Sequence, residues 1–125
     1  MEKRKILIID DEVDLVNLVK MRLELHNYHI IPLYTSKRSM EITKREKPDL
    51  ILLNIMMPDK DGYKVCSELK AYEDTKDIPI ILFTATPKQK KYLKTGAESI
   101  GADDYISKPF DIADLLKKIE NQLKK

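Results

Sequence analysis

The sequence predicts an α/β fold in which helices cover both faces of a doubly wound parallel sheet. Two observations predict it. Short apolar runs alternate along the chain with longer segments of helical periodicity, and no linker-like stretch separates them. Each βα pair must then cross over to the next parallel strand, and five such units follow one another. We therefore expect one domain covering residues 1–125.

The predicted strands rest on continuous apolar runs of strand length. The first run is rich in isoleucine and has no polar alternation, as expected for a strand buried on both faces. Pro32 lies within the second run and indicates an edge strand, where a missing N–H is tolerated. The five predicted strands cover residues 5–9, 28–34, 49–53, 78–83 and 103–106.

The predicted helices follow from apolar residues at helical spacing and from polar residues at helix starts. Asp11 is placed to cap the first helix, and Glu12 and Asp14 favour its dipole. Cys66 lies on the apolar face of the third helix, so we interpret it as a packed side chain. The five predicted helices cover residues 13 to about 25, 36–47, 63–72, 87–98 and 111–123.

Composition excludes several classes of protein. Charged residues make up 35% of the chain, yet 23 basic and 21 acidic side chains nearly cancel, so no whole-chain field favours nucleic acid or membrane. The apolar runs are far shorter than the ~20 residues of a membrane span, and the start resembles no signal peptide. One cysteine suits a reducing compartment. We expect a cytoplasmic domain that binds neither nucleic acid directly nor membrane. Four lysines of the fourth helix form a solvated face on this interpretation: Lys88, Lys90, Lys91 and Lys94.

Polar residues follow four of the predicted strands. If the strands are neighbours, their carboxyl ends share one crevice, where open α/β sheets bind their ligands. That crevice would hold two carboxylates, a carboxamide, a hydroxyl and an ammonium group. A carboxylate at its centre could attack a phosphoryl donor, whereas an amide is weakly nucleophilic. The converging residues are Asp10, Asp11, Asn54, Thr84 and Lys108.

Four stretches in register resemble the receiver domain of two-component response regulators: residues 6–12, 48–62, 84–85 and 101–110. The resemblance covers essentially the whole chain. It implies a flavodoxin-like (βα)5 three-layer sandwich with strand order 2-1-3-4-5. It also implies a role in phosphorelay signal transduction rather than an enzyme activity. The sequence departs from the family at Asn54, where the family has the phosphoryl-accepting aspartate.

The resemblance assigns a magnesium site to the carboxylates of Asp10 and Asp11 and the backbone carbonyl of Met56. Asn54 could still contribute its amide oxygen. The lost carboxylate charge, about 4 Å from the ion, corresponds to roughly 1 to 4 kcal/mol per unit charge, doubled for a divalent ion. We therefore expect Mg²⁺ to bind weakly or not at all.

Other roles follow from the same resemblance. Thr84, Ala85 and Lys108 would line the phosphoryl pocket, and Thr84 and Tyr105 would move together as the switch between two conformations. The peptide bond before Pro109 would be cis, a geometry found in only ~5% of X-Pro bonds. Taken singly, each residue has an ordinary structural interpretation, such as a solvated lysine or a packed tyrosine.

Partners and alternatives complete the expectation. A receiver takes its input from a sensor histidine kinase or phosphotransfer protein and acts on an output protein through its fourth helix, fifth strand and fifth helix. A weak homodimer is a separate expectation. Asn54 is either natural or the mark of a silenced laboratory variant. The chain could instead be a phosphorylation-independent interaction module, or an enzyme that binds metal or nucleotide on the same fold. A flavodoxin-like FMN site disagrees with the acidic loop 10–12.

Overall fold

The computed structural model describes residues 3–57, 61–84 and 101–124. Within them, five parallel strands form one sheet of order β2-β1-β3-β4-β5. This confirms the predicted flavodoxin-like fold and its strand order. Pro32 lies in the edge strand, as predicted. The strands are β1 (Arg4–Ile9), β2 (Tyr28–Leu33), β3 (Leu50–Asn54), β4 (Ile80–Thr84) and β5 (Asp104–Ser107).

The described ranges also contain four helices, none of them long and apolar enough to cross a membrane. The predicted fourth helix, residues 87–98, lies outside these ranges together with its lysines. The helices are α1 (Val13–Glu24), α2 (Ser39–Glu46), α3 (Gly62–Ala71) and a C-terminal helix (Ile112–Leu123).

The sequence predicts that helix α2 begins at residue 36, but in the structure it begins at Ser39. The main reason is a turn, in which the Ser39 hydroxyl and backbone N–H both donate to the carbonyl of Ser36, at 2.7 and 3.2 Å. At the other end, Lys47 adopts a left-handed conformation with φ 48° directly before Pro48, and the helix ends at Glu46. The other predicted ends within the described residues agree with the structure to within two residues.

Two apolar clusters lie on opposite faces of the sheet, and alternate residues of β1 divide between them. Ile6 and Ile8 pack with α1 and the C-terminal helix, whereas Leu7 and Ile9 pack with α2 and α3. All four side chains are fully buried. A strand between two helical layers needs apolar residues in every position, which explains the unbroken apolar run in the sequence.

The predicted cap of α1 is wrong. The residue before the helix is Glu12, and its side chain makes no capping hydrogen bond. Asp11 does not cap the helix because its carboxylate faces Asn54, whose amide nitrogen lies 3.4 Å from Asp11 Oδ1. The N–H of Glu12 instead donates to Asp10 Oδ1 at 3.0 Å.

The strand register positions the polar residues at the carboxyl edge of the sheet. Ile9 pairs with Leu53, so Asp10 follows beside Asn54. On the other side of β3, Asn54 pairs with Phe83, and Thr84 pairs with Ser107 at the end of β5. The parallel arrangement thus brings residues from four strand ends to one crevice.

Candidate functional site

Asn54 lies at the centre of the crevice and is 4% exposed. Its amide nitrogen is 3.2 Å from Asp10 Oδ1, 3.4 Å from Asp11 Oδ1 and 3.1 Å from the backbone oxygen of Met56. The Asn54 amide oxygen accepts the N–H of Met56 at 3.3 Å. Donors and acceptors match on both sides of the amide group. With the amide reversed, its oxygen would face two carboxylates and its NH2 would face an N–H.

Lys108 provides the positive charge of the site. Its ammonium group donates to Asp10 Oδ2 at 2.8 Å and to Glu12 Oε1 at 3.0 Å. Asp10 is fully buried, and this burial raises the pKa of its carboxyl group, an effect that the hydrogen bond from Lys108 partly offsets. The peptide bond between Lys108 and Pro109 is cis, as the resemblance implied.

Thr84 is the last residue of β4, and Tyr105 is the second residue of β5. Thr84 is fully buried, and its hydroxyl is 3.3 Å from the hydroxyl of Ser107. The backbone N–H of Lys108 donates to the carbonyl of Thr84 at 2.6 Å, which ties the lysine loop to β4. Tyr105 is half-buried, with the ammonium group of Lys118 5.9 Å from its ring centre. Ala85 lies outside the described residues.

Gly62 packs closely against the backbone of Asn54 and Ile55. A Cβ atom at residue 62 would lie 2.4 Å from both the carbonyl oxygen of Asn54 and the Cα of Ile55. The N–H of Gly62 also donates to the carbonyl of Ile55 at 3.0 Å. Only glycine allows α3 to begin this close to the end of β3.

Sequence reasoning brought Asp10, Asp11, Asn54, Met56 and Lys108 together, and the structure places them in contact. It missed the contacts of Glu12 and Ser107. From the sequence, Glu12 is expected only to favour the dipole of α1, because its lysine partner is 96 residues away. Ser107, which precedes that lysine, had no separate signal.

The oxygen atoms around Asn54 suit a hard cation such as Mg²⁺, which takes carboxylate and carbonyl ligands. Three of them face one point, but the Asn54 amide nitrogen lies there as a hydrogen-bond donor. The residues therefore fit magnesium in their chemistry, provided that the Asn54 side chain turns. Within residues 3–57, 61–84 and 101–124, no three His, Cys, Asp or Glu side chains form a metal-binding group.

This fold with a crevice of acidic, hydroxyl and ammonium groups at its carboxyl edge is that of a signalling receiver. The chain matches the response regulator receiver domain over residues 6–120 and belongs to that family. Receiver domains are signalling modules of two-component systems.

The curated relatives are longer proteins. The chain is 41% identical over 125 residues to the Porphyridium aerugineum protein named "Probable transcriptional regulator ycf27". The aligned region covers 100% of this chain and 50% of that protein. It is 36% identical over 121 residues to the DNA-binding dual master transcriptional regulator RpaA of Synechocystis, and the aligned region covers 97% of this chain and 49% of RpaA. The chain thus spans about half the length of these relatives.

A solved structure at similar identity has the same fold. The BeF3-activated N-terminal receiver domain of Klebsiella pneumoniae RstA is 31% identical, with a TM-score of 0.86 and coverage of 98% of this chain and 100% of that one. A Pseudomonas aeruginosa receiver domain whose active-site cleft holds a magnesium ion, 24% identical with a TM-score of 0.88, shares the fold over 98% and 99% of the two chains.

Proposed function

We propose that this chain is a receiver domain that does not accept a phosphoryl group at residue 54. One observation carries the proposal: the side chain at the centre of the crevice is a carboxamide, held by Asp10, Asp11 and Met56. Transfer from phosphohistidine breaks an N–P bond and forms an O–P bond, which requires an anionic oxygen as the nucleophile. The amide of Asn54 carries no such charge.

The remaining side chains suit a phosphoryl pocket. Lys108 would neutralise phosphoryl charge, and its two carboxylate partners hold it beside the crevice. The Thr84 hydroxyl, with Ala85, would bind a phosphoryl oxygen, and Thr84 and Tyr105 would act as the switch. Mg²⁺, if bound, would be held by Asp10, Asp11 and the carbonyl of Met56 and would stabilise phosphoryl charge.

Signalling would then depend on partner binding. A ligand shifts a conformational equilibrium only when it has different affinities for the two states. On this proposal no phosphoryl group is attached to residue 54, so it cannot provide that difference. A partner that prefers the active conformation could provide that difference. We propose a histidine kinase or phosphotransfer protein as input, and an output protein that contacts the predicted fourth helix, β5 and the C-terminal helix.

Two further assignments rest on the family. Relatives of this chain are named as transcriptional regulators, which supports an output in transcription exerted through a separate segment or protein. A cytoplasmic location suits such a role, and the free, buried thiol of Cys66 is compatible with a reducing compartment. Weak self-association is the remaining partner proposal.

The test is incubation with Mg²⁺ and a small phosphodonor, followed by intact-mass measurement. The native chain should keep its mass, and Asn54→Asp should gain one phosphoryl group per chain because the rest of the pocket is present. Asn54→Gln is the matched control that keeps an amide and should stay unlabelled. A stoichiometric adduct on the native chain would contradict the proposal.

The origin of Asn54 is a separate question that the coding sequence of the source answers. An asparagine codon at position 54 identifies a natural atypical receiver, and an aspartate codon identifies a silenced variant. Either outcome leaves the labelling prediction unchanged, because the chemistry depends on the residue that is present.

A further inference from the structure

We propose that the Asn54 carboxamide takes the place of the divalent cation in this pocket and holds the two carboxylates together without Mg²⁺. The inference rests on the proposed function, because that function assigns the acceptor position to residue 54. It goes further in stating what the amide does. On this view Asn54 joins Asp10 and Asp11 through hydrogen bonds, in addition to being a poor nucleophile.

The geometry of the bridge is the first argument. One nitrogen atom contacts oxygens of the first and second residues after β1 and of the loop after β3, at 3.2, 3.4 and 3.1 Å. These are the oxygens that the family resemblance assigns to the metal. Asp10 is fully buried and Asn54 is 4% exposed, so water has little access to the Asp10 side of the bridge, while Asp11 and Met56 lie at its exposed side.

The charge of the pocket is the second argument. With aspartate at residue 54, three carboxylates would meet and the two N–H donors would be lost. Like charges at this distance repel, and a bound cation relieves that repulsion. Asparagine removes one of the charges and donates hydrogen bonds to the others. Lys108 binds Asp10 Oδ2, and the N–H of Glu12 joins the amide at Oδ1, so both oxygens of Asp10 have donors.

The position of the amide is the third argument. A cation bound to the same three oxygens would have to displace the Asn54 nitrogen. Turning the amide would offer its oxygen to the ion, but it would break the hydrogen bond from Met56 and set the NH2 group against that N–H. Mg²⁺ therefore competes with the amide instead of adding to it.

The test compares thermal unfolding of the native chain, Asn54→Ala and Asn54→Asp with and without magnesium chloride. At about 10 mM Mg²⁺ we expect the native midpoint to move by less than about 1 °C, because the bridge already occupies the site. Both variants should gain several degrees, roughly 2 to 5 °C or more, because their oxygens are free to bind the ion. Calcium-free, chelator-treated protein provides the reference.

Asn54→Ala separates two explanations. Alanine supplies no ligand, so if Asn54 matters only as a poor ligand, the alanine variant should respond to Mg²⁺ no more than the native chain. If the amide blocks the ion, the alanine variant should respond more. A native chain stabilised as strongly as Asn54→Asp, or an alanine variant that responds no more than the native chain, overturns the inference.

A second measurement is independent of any variant. The side-chain NH2 resonances of Asn54 should exchange slowly with water in Mg²⁺-free buffer and stay in place during a magnesium titration. Rapid exchange, or movement at low Mg²⁺, contradicts the bridge. The phosphodonor test remains separate. A native chain that gains no phosphoryl group but binds Mg²⁺ tightly would overturn this inference and leave the proposed function intact. A native chain that gains a phosphoryl group would overturn the proposed function.

Discussion

At the scale of single residues, Gly62 determines how close α3 can lie to Asn54. The Cβ of any other residue would meet the backbone of Asn54 and Ile55, and backbone atoms cannot move aside as the end of a flexible side chain can. The positions of the loop and of Asn54 therefore depend on residue 62 having no Cβ atom. This makes the position sensitive although it touches no ligand.

We predict that Gly62→Ala destabilises the chain by about 1 to 3 kcal/mol, because overpacking forces a backbone shift. Urea unfolding measures the loss. Ser67→Ala, at an exposed site of the same helix, is the control and should change stability by less than about 0.5 kcal/mol. Resonances of Asn54 and Met56 should move in the glycine variant only. Equal stability of the two variants would show that the loop has room.

Cys66 illustrates how burial shifts the pKa of a side chain. Burial raises the pKa of its thiol from 9.0 to about 12, and the side chain is fully buried on α3. This agrees with its interpretation as a packed residue. In the unfolded chain the thiol ionises near its ordinary pKa, so above that pH the folded chain holds the proton more firmly than the unfolded chain does.

The sign of the pH effect follows from this difference. Between about pH 9 and pH 12 the folded state binds more protons, so this group makes stability fall as pH rises, by roughly 1.4 kcal/mol per pH unit. Below that window its contribution is constant. We predict that Cys66→Ala loses less stability than the native chain between about pH 8.5 and pH 10, measured by urea unfolding under reducing conditions. Parallel losses in the two proteins would contradict the shift.

At the scale of elements, α1 carries apolar residues on two faces. Val16, Val19 and Leu23 are buried against the sheet, while Leu18 and Leu25, the residue that follows the helix, are 48% and 78% exposed. The sequence pattern correctly predicts a helix here, but apolar spacing by itself does not separate the buried residues from the exposed ones. Periodicity identifies a helix, and only packing shows which of its apolar residues the core uses.

This gives a matched pair of leucines near one helix end. We predict that Leu23→Ala costs about 2 to 4 kcal/mol, because it leaves a cavity beside β1. Leu25→Ala should change stability by less than about 0.5 kcal/mol, because its side chain lies in solvent. Chemical denaturation of both variants measures the difference. Similar losses for the two would mean that the exposed leucine contributes to packing after all.

The elements also show what the sequence could and could not predict. Strand type, strand order and the convergence of the site residues were predictable, because buried parallel strands need continuous apolar runs and their carboxyl ends must meet. The cap of α1 was not, because Asp11 can either cap a helix or face a crevice. Nor was the contact of Lys70 with Asp103 at 2.8 Å, which joins α3 to the loop before β5. Any lysine and aspartate could have formed it.

At the scale of the whole molecule, the receiver class implies two conformations whose balance responds to the phosphoryl group. Here that chemical input is proposed to be absent, so Mg²⁺ and phosphodonor should have no differential effect on the two states. The resting population should then dominate unless a partner binds. The chain spans about half the length of its curated relatives, so such a partner surface could belong to the same protein or to another.

We predict that the backbone amide spectrum of the native chain stays unchanged when Mg²⁺ and a small phosphodonor are added together. The same addition to Asn54→Asp should shift resonances around Thr84, Tyr105 and the C-terminal helix, because a covalent ligand then biases the switch. Two-dimensional ¹H–¹⁵N spectra make the comparison. Shifts in the native chain that match those of the variant would show a second route to activation.

The edge position of β2 has a consequence for behaviour at high protein concentration. An open strand edge is a template on which a further strand can pair, and proteins protect such edges in several ways. Pro32 lies within this strand and has no N–H to offer an incoming chain. A growing intermolecular sheet would lack a hydrogen bond at that point, so the proline disfavours strand addition along this edge.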